Sequence, residues 1–468
     1  MAVLAAALLA VSCAGPERAA DTAKPNIIFI LADDLGYGDL GSYGQTRIKT
    51  PNLDRMAAEG MRFTDAYAGF TVCAPSRCVL MTGLHTGHAR VRRNGAGPLR
   101  PEDFTVAELL KQQGYATALI GKWGLGEEET AGAPWRQGFD YFFGYLNQGH
   151  AHNFWPEFLF RNGEKVPLRN EVIRRAQPPT HMGGVATKRV DYSHDLFAEE
   201  ALRFVDQNKG NPFFLYLAFT IPHANNEGGP KADPGAEVIP DSMPEHKERA
   251  GMEVPDAGEY QQQDWPGPQK GTAAMITRMD KDIGRLFERL RQHGIDERTL
   301  VFFSSDNGPH KEGGTDPYFF QSMGPLQGYK RSLHDGGIRV PAIVRWPGKA
   351  PAGAESSLPW YFADFLPTVA ELLGVAPPEG LDGVSILPAI YGKDVEIGDR
   401  MMYWGGTPGD AEAARWGKWK AVKEKPDAPL ELFDLSQDIA EEHDVAAANP
   451  GVAARLAEFM RSAVTPEE

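Results

Sequence analysis

Cysteine is almost missing from this chain: Cys13, Cys73 and Cys78 are the only three in 468 residues. A disulfide framework is therefore excluded, and Cys73 and Cys78 lie too close along one helical stretch to pair, so Cys73 needs a reason other than cross-linking. Positive charge is short as well. Lys and Arg number 48 against 63 Asp and Glu, a formal net charge of -15. That balance argues against a protein that coats nucleic acid or an anionic membrane, because phosphate binding needs a net basic face. Internal repeats are absent, and the apolar run at residues 2 to 12 is too short to span a bilayer. What is present is the composition of a soluble globular enzyme, with length enough for a large α/β domain and one smaller appendage.

Residues 2 to 12 are rich in alanine and leucine, end in Ala10-Val11-Ser12-Cys13, and give way to the polar Gly15-Pro16-Glu17-Arg18. They read as the apolar part of an export leader over residues 1–23, although no basic residue precedes them. The small residues before Cys13 resemble a bacterial lipoprotein cleavage site, with Ala10 where leucine is usual. The expectation is an exported protein, periplasmic or at the cell surface, and a lipid anchor at Cys13 stays open.

The chain is organised around Thr71-Val72-Cys73-Ala74-Pro75-Ser76-Arg77-Cys78 and the apolar run that follows to Gly83. A polar turn, a proline two residues past the cysteine and a closing glycine read as a loop entering a short helix with Cys73 in its first turn. The free N–H groups there favour an anion, and Arg77, one turn on, can reach back over the same spot. A small buried cysteine beside a capping loop explains those residues equally well.

Elsewhere the chain alternates buried strands with helices. Asn26 to Leu31 is a continuous apolar run of the kind found in a parallel sheet covered on both faces, and it ends in Asp33-Asp34. Adjacent carboxylates repel unless a cation or donors hold them. Thr50 caps a helix through Glu59, with Pro51 in its first turn. A strand from Tyr115 to Ile120 empties into Lys122. Residues 145 to 190 form a long excursion without period, read as surface loops and hairpins. After a helix over 193 to 208, the strand Pro212 to Phe219 runs out into His223, Asn225 and Asn226. A polar Pro/Gly-rich segment between Gly228 and Pro268 has the length of a lid or binding loop. A helix over 270 to 293 precedes the strand Thr299 to Ser304, which ends in Asp306-Asn307-Gly308. His310, Lys311 and a glycine-rich loop to Lys330 follow, then a strand over Gly336 to Val344 and a helix over 361 to 373. The main domain spans 24–395. The tail, 396–468, reads as a small α+β subdomain with a strand at Leu430 to Phe433 and a helix at 450 to 463.

Asp33, Asp34, Lys122, His223, Asp306 and Asn307 each lie just past a buried strand. In an open parallel sheet those ends share one crevice. Three carboxylates and an amide oxygen describe a hard-cation site, best suited to calcium, with magnesium second and zinc disfavoured. The cation with Arg77, Lys122 and Lys330 would surround an anionic group with positive charge, which is how a transferring phosphoryl or sulfuryl group is stabilised.

Cys73-Ala74-Pro75-Ser76-Arg77, with Met81-Thr82-Gly83 behind it, resembles the signature of the formylglycine-dependent sulfatases of the alkaline phosphatase superfamily. The resemblance runs from Pro25 into the C-terminal subdomain, through Ala32-Asp33-Asp34, Gly121-Lys122-Trp123, Pro222-His223, Asp306-Asn307-Gly308 and Gly336-Gly337-Ile338-Arg339-Val340-Pro341. It implies an alkaline phosphatase-like fold, a large and mostly parallel central sheet sandwiched by helices. It implies that a separate maturation enzyme oxidises Cys73 to formylglycine, whose hydrated aldehyde is the nucleophile, and that calcium is held by Asp33, Asp34, Asp306, Asn307 and residue 73. Arg77 would steady the formylglycine hydroxyls, Lys122 and Lys330 would bind sulfate oxygens, and His223 would protonate the departing alcohol. One position departs from the pattern: many members carry histidine where this chain has Gly124, a candidate base for expelling sulfate, and His310 and Asp33 are the candidates to replace it.

The reading is an exported sulfuric ester hydrolase. The basic segment with His85, Arg90 and Arg93, the loop with Asn225, and His310 with Lys311 are the expected substrate contacts, and they suggest a sulfated carbohydrate. Phosphonate or phosphate ester hydrolysis on the same scaffold, or an unmatured sulfoglycan-binding protein, are the alternatives.

Overall fold

Every residue of the strand Asn26–Ala32 is buried, which a strand reaches only when both of its faces are covered. In the computed structural model, which describes residues 24–173, 183–228, 251–395, 397–406 and 411–465, this strand lies near the middle of a ten-stranded sheet. From edge to edge the order is Ala354–Ser356, Met61–Phe63, Ala342–Arg345, Thr299–Ser305, Asn26–Ala32, Phe213–Ala218, Ala116–Lys122, Tyr141–Tyr145, Phe158–Arg161 and Glu164–Pro167. The strands from Thr299–Ser305 to Tyr141–Tyr145 run parallel, and the antiparallel pairings lie toward the two edges. The leader, Cys13, residues 174–182 of the long excursion and residues 229–250 of the expected lid lie outside the described residues.

Alternation along the central strand divides the core into two layers. Ile27, Phe29 and Leu31 pack with Val79, Leu80, Phe365 and Leu366 on one face. Ile28 and Ile30 pack with Phe197, Met275, Ile276 and Ile283 on the other. Helices Cys73–Thr82 and Phe365–Leu373 thus cover one side, and helices Ser193–Asn208 and Gly267–Gln292 cover the other. The helical spacing of apolar residues in the last of these is core packing, as its periodicity implied.

Two local expectations are corrected. The helix Pro51–Glu59 begins after Thr50, but the threonine side chain does not cap it. The carboxylate of Asp280, from the long helix, accepts from the N–H groups of Asn52 and Leu53 at 3.0 and 2.7 Å instead. The stretch Gly336 to Val344 is not one strand: Asp335–Ile338 is a helical turn and only Ala342–Arg345 joins the sheet. The glycines there press on backbone, since a Cβ at Gly336 would lie 2.2 Å from the Gly328 carbonyl oxygen and one at Gly337 2.1 Å from that of Ser332. The excursion after Tyr145 holds a hairpin, as expected: Phe158–Arg161 and Glu164–Pro167 pair and extend the main sheet.

The tail is the small α+β subdomain expected, holding a four-stranded antiparallel sheet, Met401–Gly405, Glu412–Trp416, Trp419–Lys423 and Glu431–Asp434, with the helix Pro450–Ser462 packed on it. Its alternation is short and interrupted, so only the last strand stood out in the sequence. A buried ion network ties it to the main domain: Lys420 Nζ lies 2.6 Å from Asp335 Oδ1 and 2.8 Å from Glu441 Oε1.

Candidate active site

Register brings the strand ends level. Ala32 pairs with Ser305, Leu31 with Ala218, and Ala218 with Gly121. Asp33 and Asp34, Asp306 and Asn307, Lys122, and the Thr220 to His223 loop therefore leave the sheet at one edge. Asp34 turns there in the left-handed region, φ 69°, a conformation that costs a non-glycine residue and marks a position held by its surroundings.

The helix Cys73–Thr82 points its first turn into that edge and is closed by Gly83 at φ 72°, where left-handed backbone favours glycine. All ten of its residues are buried. Cys73 is the first of them, and the ligand atoms of Asp33, Cys73 and Asp306 lie within 4.8 Å of one another, as do those of Asp33, Asp34 and His223. The Arg77 fork reaches back as expected, but onto protein groups: Nε and Nη2 donate to Asp306 Oδ2 at 3.0 and 2.8 Å, and Nη1 donates to the Lys122 carbonyl at 2.8 Å.

Around the cysteine, acids and bases interleave. Lys122 Nζ donates to Asp33 Oδ2 at 2.7 Å, and Lys330 Nζ donates to Asp34 Oδ2 at 2.7 Å. Asn307 Nδ2 donates to Asp34 Oδ1 at 2.7 Å. Burial alone would raise the Asp33 carboxyl, yet the charges of Lys122, Arg77 and Lys330 together hold it well below the usual carboxylate range. Asp306, buried and facing Asp33, is pushed up to about 7 against the pull of Arg77. Burial also raises the Cys73 thiol, so the unmodified residue is a poor thiolate.

His223 is held by its backbone neighbour. Nδ1 donates to the Ala224 carbonyl at 2.6 Å, which leaves Nε2 to accept from Lys330 Nζ at 3.1 Å. Burial first, and then the Lys330 charge, lowers its pKa to about 3. The ring is neutral, and the proton nearest the site sits on Lys330, whose own pKa is raised by Asp34 and Glu312 in spite of burial. His223, expected at the leaving alcohol, thus has Lys330 as its neighbour on Nε2.

Residues 25–375 match the family described as Sulfatase. Arylsulfatase A of Bos taurus is 34% identical over 429 residues, which cover 86% of this chain and 75% of the relative. N-acetylgalactosamine-6-sulfatase of Canis lupus familiaris is 32% identical over 437 residues, 88% of this chain and 74% of the relative. The chain belongs to the sulfatase family. Among solved structures, Ps i-CgsB in complex with k-i-k-neocarrahexaose superposes with a TM-score of 0.74 at 29% identity, over 94% of this chain and 92% of that one. Phosphonate monoester hydrolase of Agrobacterium radiobacter shares the fold, with a TM-score of 0.62 at 21% identity over 94% of this chain and 95% of that one.

Two oxygens of the sulfatase's site test whether a cation fits. Asp33 Oδ1 and Asn307 Oδ1 are buried and have no hydrogen-bond partner, a cost that a bound cation would remove. With Asp34 and Asp306 they make an all-oxygen donor set of the kind that hard divalent ions take.

Several residues expected at the sulfatase's substrate have other work. Asn225 is fully buried, donating to Gly184 O at 3.1 Å and Glu253 Oε2 at 3.0 Å, and so shapes its own loop. His85 pairs with Asp382, stacks on His88 and lies tilted against the Tyr403 ring. His310 faces the Pro222 carbonyl with Nε2 at 3.0 Å and accepts from Glu312 N with Nδ1 at 3.1 Å. Both of its nitrogens are engaged by backbone groups. Lys311 lies over the Tyr318 and Tyr329 rings. Arg90 is half-buried, its Nη2 next to Gly97, and Arg93 is exposed on the same loop.

Four side chains at the sulfatase's site had no signal in the sequence beyond being polar residues in loops. Glu312 Oε2 stands 3.5 Å from Lys330 Nζ. His152 stacks on His223 with ring centroids 5.0 Å apart. Asn94 Oδ1 accepts from Ala74 N at 3.1 Å, and Gln148 Oε1 accepts from the Cys73 thiol at 3.2 Å.

Proposed function

We propose that this sulfatase releases sulfate from a sulfated carbohydrate after Cys73 has been converted to formylglycine, with calcium bound by Asp33, Asp34, Asp306 and Asn307. The observation that carries this reading is that Asp33 and Asp306 meet Cys73, Asp34 lies beside Asp33 and Asn307 is hydrogen-bonded to Asp34, with the Asp33 and Asn307 oxygens left without protein partners. The carbohydrate is supported by the relatives, among them an N-acetylgalactosamine-6-sulfatase and a structure holding neocarrahexaose. The leader-like residues 2–12 support export, and a formylglycine-generating enzyme is the partner that the cysteine requires.

When bound, the divalent ion would supply charge stabilisation for the sulfuryl oxygens, and the converted residue 73 would supply the nucleophile. The chain's own residues do the rest. Lys122 and Lys330, both buried with their charges fixed by Asp33 and Asp34, bind and orient the sulfuryl oxygens and take up the charge that develops on them. Lys330 and His223 hold between them the proton that reaches the leaving alcohol, the Ala224 carbonyl keeping His223 Nε2 aimed at Lys330. Arg77 holds Asp306 and the end of the Lys122 strand in place rather than touching the substrate.

The test is to purify the protein from a host that co-produces the maturation enzyme, read the mass of the peptide containing residue 73, and assay sulfate against phosphate esters with and without chelator. An aldehyde, sulfate release and loss of activity on chelation are expected. An intact thiol in protein that still turns over sulfate esters would overturn the reading.

A further inference from the structure

Glu312 follows Asp306 and Asn307 on the loop that leads away from the sheet, and its side chain is only 16% exposed. The carboxylate is drawn two ways. Oε1 lies 2.5 Å from Nη2 of the exposed Arg331, whereas Oε2 turns inward, 3.5 Å from Lys330 Nζ and 3.9 Å from His223 Nε2. Backbone contacts fix this arrangement. Glu312 N donates to His310 Nδ1 at 3.1 Å and His310 Nε2 donates to the Pro222 carbonyl at 3.0 Å, so one imidazole ties the Glu312 loop to the loop that carries His223. Gly313 runs so close to that loop that a Cβ on it would lie 2.6 Å from the Ala224 Cβ. Burial would raise the Glu312 carboxyl, yet the Lys330 and Arg331 charges hold it well below the usual carboxylate range, and it stays ionised. A plain surface ion pair with Arg331 would leave Oε2 in water; here it faces a buried lysine.

The two lysines of the site are therefore not equivalent. Lys122 Nζ is paired with Asp33 at 2.7 Å, while Lys330 Nζ has Asp34 at 2.7 Å and Glu312 as well. Asp33 and Asp34 are carboxylates assigned to the cation. Glu312 is outside that set, so its charge stays with Lys330. We propose that Glu312 is a specificity-determining residue of this sulfatase, its carboxylate beside Lys330 admitting a singly charged sulfate ester and repelling a doubly charged phosphate monoester. This rests on the reading that Lys330 binds the sulfuryl oxygens. The two esters have nearly the same shape and present the same terminal oxygens, so hydrogen-bond donors alone separate them poorly. Charge separates them well: at neutral pH a sulfate ester carries one negative charge, and a phosphate monoester, with a second pKa of about 6, carries close to two. In a buried site the extra charge is felt strongly by a carboxylate a few ångströms away. Glu312 acts through its fixed charge on Lys330 and passes no proton to the substrate.

The experiment uses the full-length protein, Glu312→Gln and Glu312→Asp, with calcium present and at about pH 8, where a phosphate monoester is a dianion. Calorimetry on the thiol form reads affinity for three ligands of nearly one shape: an aryl sulfate and an aryl methylphosphonate, each with a single charge, and the aryl phosphate, with two. The converted form, its aldehyde content read by peptide mass spectrometry, gives kcat/KM for the sulfate and phosphate esters. Glu312→Gln is expected to bind the aryl phosphate at least about tenfold more tightly relative to both singly charged esters, and to narrow the sulfate-to-phosphate ratio of kcat/KM by a similar factor. Glu312→Asp keeps the charge and with it the parental preference. Parental ratios in Glu312→Gln, or an equal gain for phosphate and phosphonate, overturn the proposal. So does an equal loss of affinity for all three ligands that Glu312→Asp fails to restore, the mark of a merely structural side chain. Failure of the parent thiol form to bind any of the three esters overturns the reading of the site and the proposal with it. Absence of aldehyde from the parent overturns the formylglycine reading alone, because the affinity ratios of the thiol form still report on Glu312.

Discussion

Arg77 and Asp306 meet at a single oxygen: Nε and Nη2 of the guanidinium converge on Asp306 Oδ2 at 3.0 and 2.8 Å, and both side chains are fully buried. The third arm of the same guanidinium holds the Lys122 carbonyl at 2.8 Å. One side chain thus joins the helix that carries Cys73 to two strand ends, and it can do so only because its donors are arranged as a rigid fork. Arg77→Lys keeps the charge and loses the fork. The expected outcome is about 2 kcal/mol of lost stability by urea denaturation together with a kcat lowered roughly 100-fold. Unchanged values for both would show that the charge alone suffices.

Divalent-ion affinity is the second measurement. Asn307→Ala removes one of the two buried oxygens that have no partner and leaves the Asp34 carboxylate without its amide donor. Calorimetric titration of the unconverted protein with calcium is expected to show at least about tenfold weaker binding, with magnesium weaker than calcium in the parent. Equal calcium affinity in parent and variant would place the ion elsewhere.

Stability should also depend on pH through Asp39, a residue outside the site. Its side chain is buried, Oδ2 accepts from Gly36 N at 2.8 Å, and Oδ1 has no partner. Burial pushes its pKa up from 3.8 to about 7 against hydrogen bonds from Ser322 and Gly36. The folded state therefore binds the proton more tightly than the unfolded chain. Its contribution is fully present below pH 3.8 and is lost as pH rises through about 7. Asp39→Asn is expected to match the parent at about pH 4 and to exceed it by up to about 4 kcal/mol at about pH 8, read from urea midpoints at the two values. A constant difference across that range would mean that the carboxyl is charged throughout.

Lys420 tests the joint between the two parts of the chain. It is fully buried between Asp335 and Glu441, and the Asp335 N–H also donates to Glu441 Oε2 at 2.5 Å. Asp335 opens the helical turn that follows the Lys330 loop. Lys420→Met leaves two buried carboxylates without their shared cation, at an expected cost of about 3–5 kcal/mol. The loss should appear as a single cooperative transition at lower urea. Two separate transitions would show that the subdomain unfolds on its own.

The ends of apolar strands were readable because a strand buried on both faces must be continuously apolar, so the first charged residue after it marks where it leaves the core. Asp33, Lys122 and Asp306 were legible for that reason, as was Cys73 from the turn, proline and glycine that bracket its helix. Asn225, His85 and His310 carry the same residue types and sit in comparable loops, yet their side chains turn to local carbonyls and carboxylates, and no spacing rule distinguishes the two outcomes.

The amino-acid order by itself determined the alternation of strands and helices, the family, and the set of charged residues at the strand ends. Which side chains meet was decided only by the tertiary structure. Parallel register sets Ala32, Ser305, Ala218 and Gly121 side by side across hundreds of residues of chain, and the pairing of Gly124 with Leu146 brings Gln148 over Cys73. Contacts of that kind depend on backbone hydrogen bonds between remote segments and on space left by a missing Cβ, quantities that exist only once the sheet has formed.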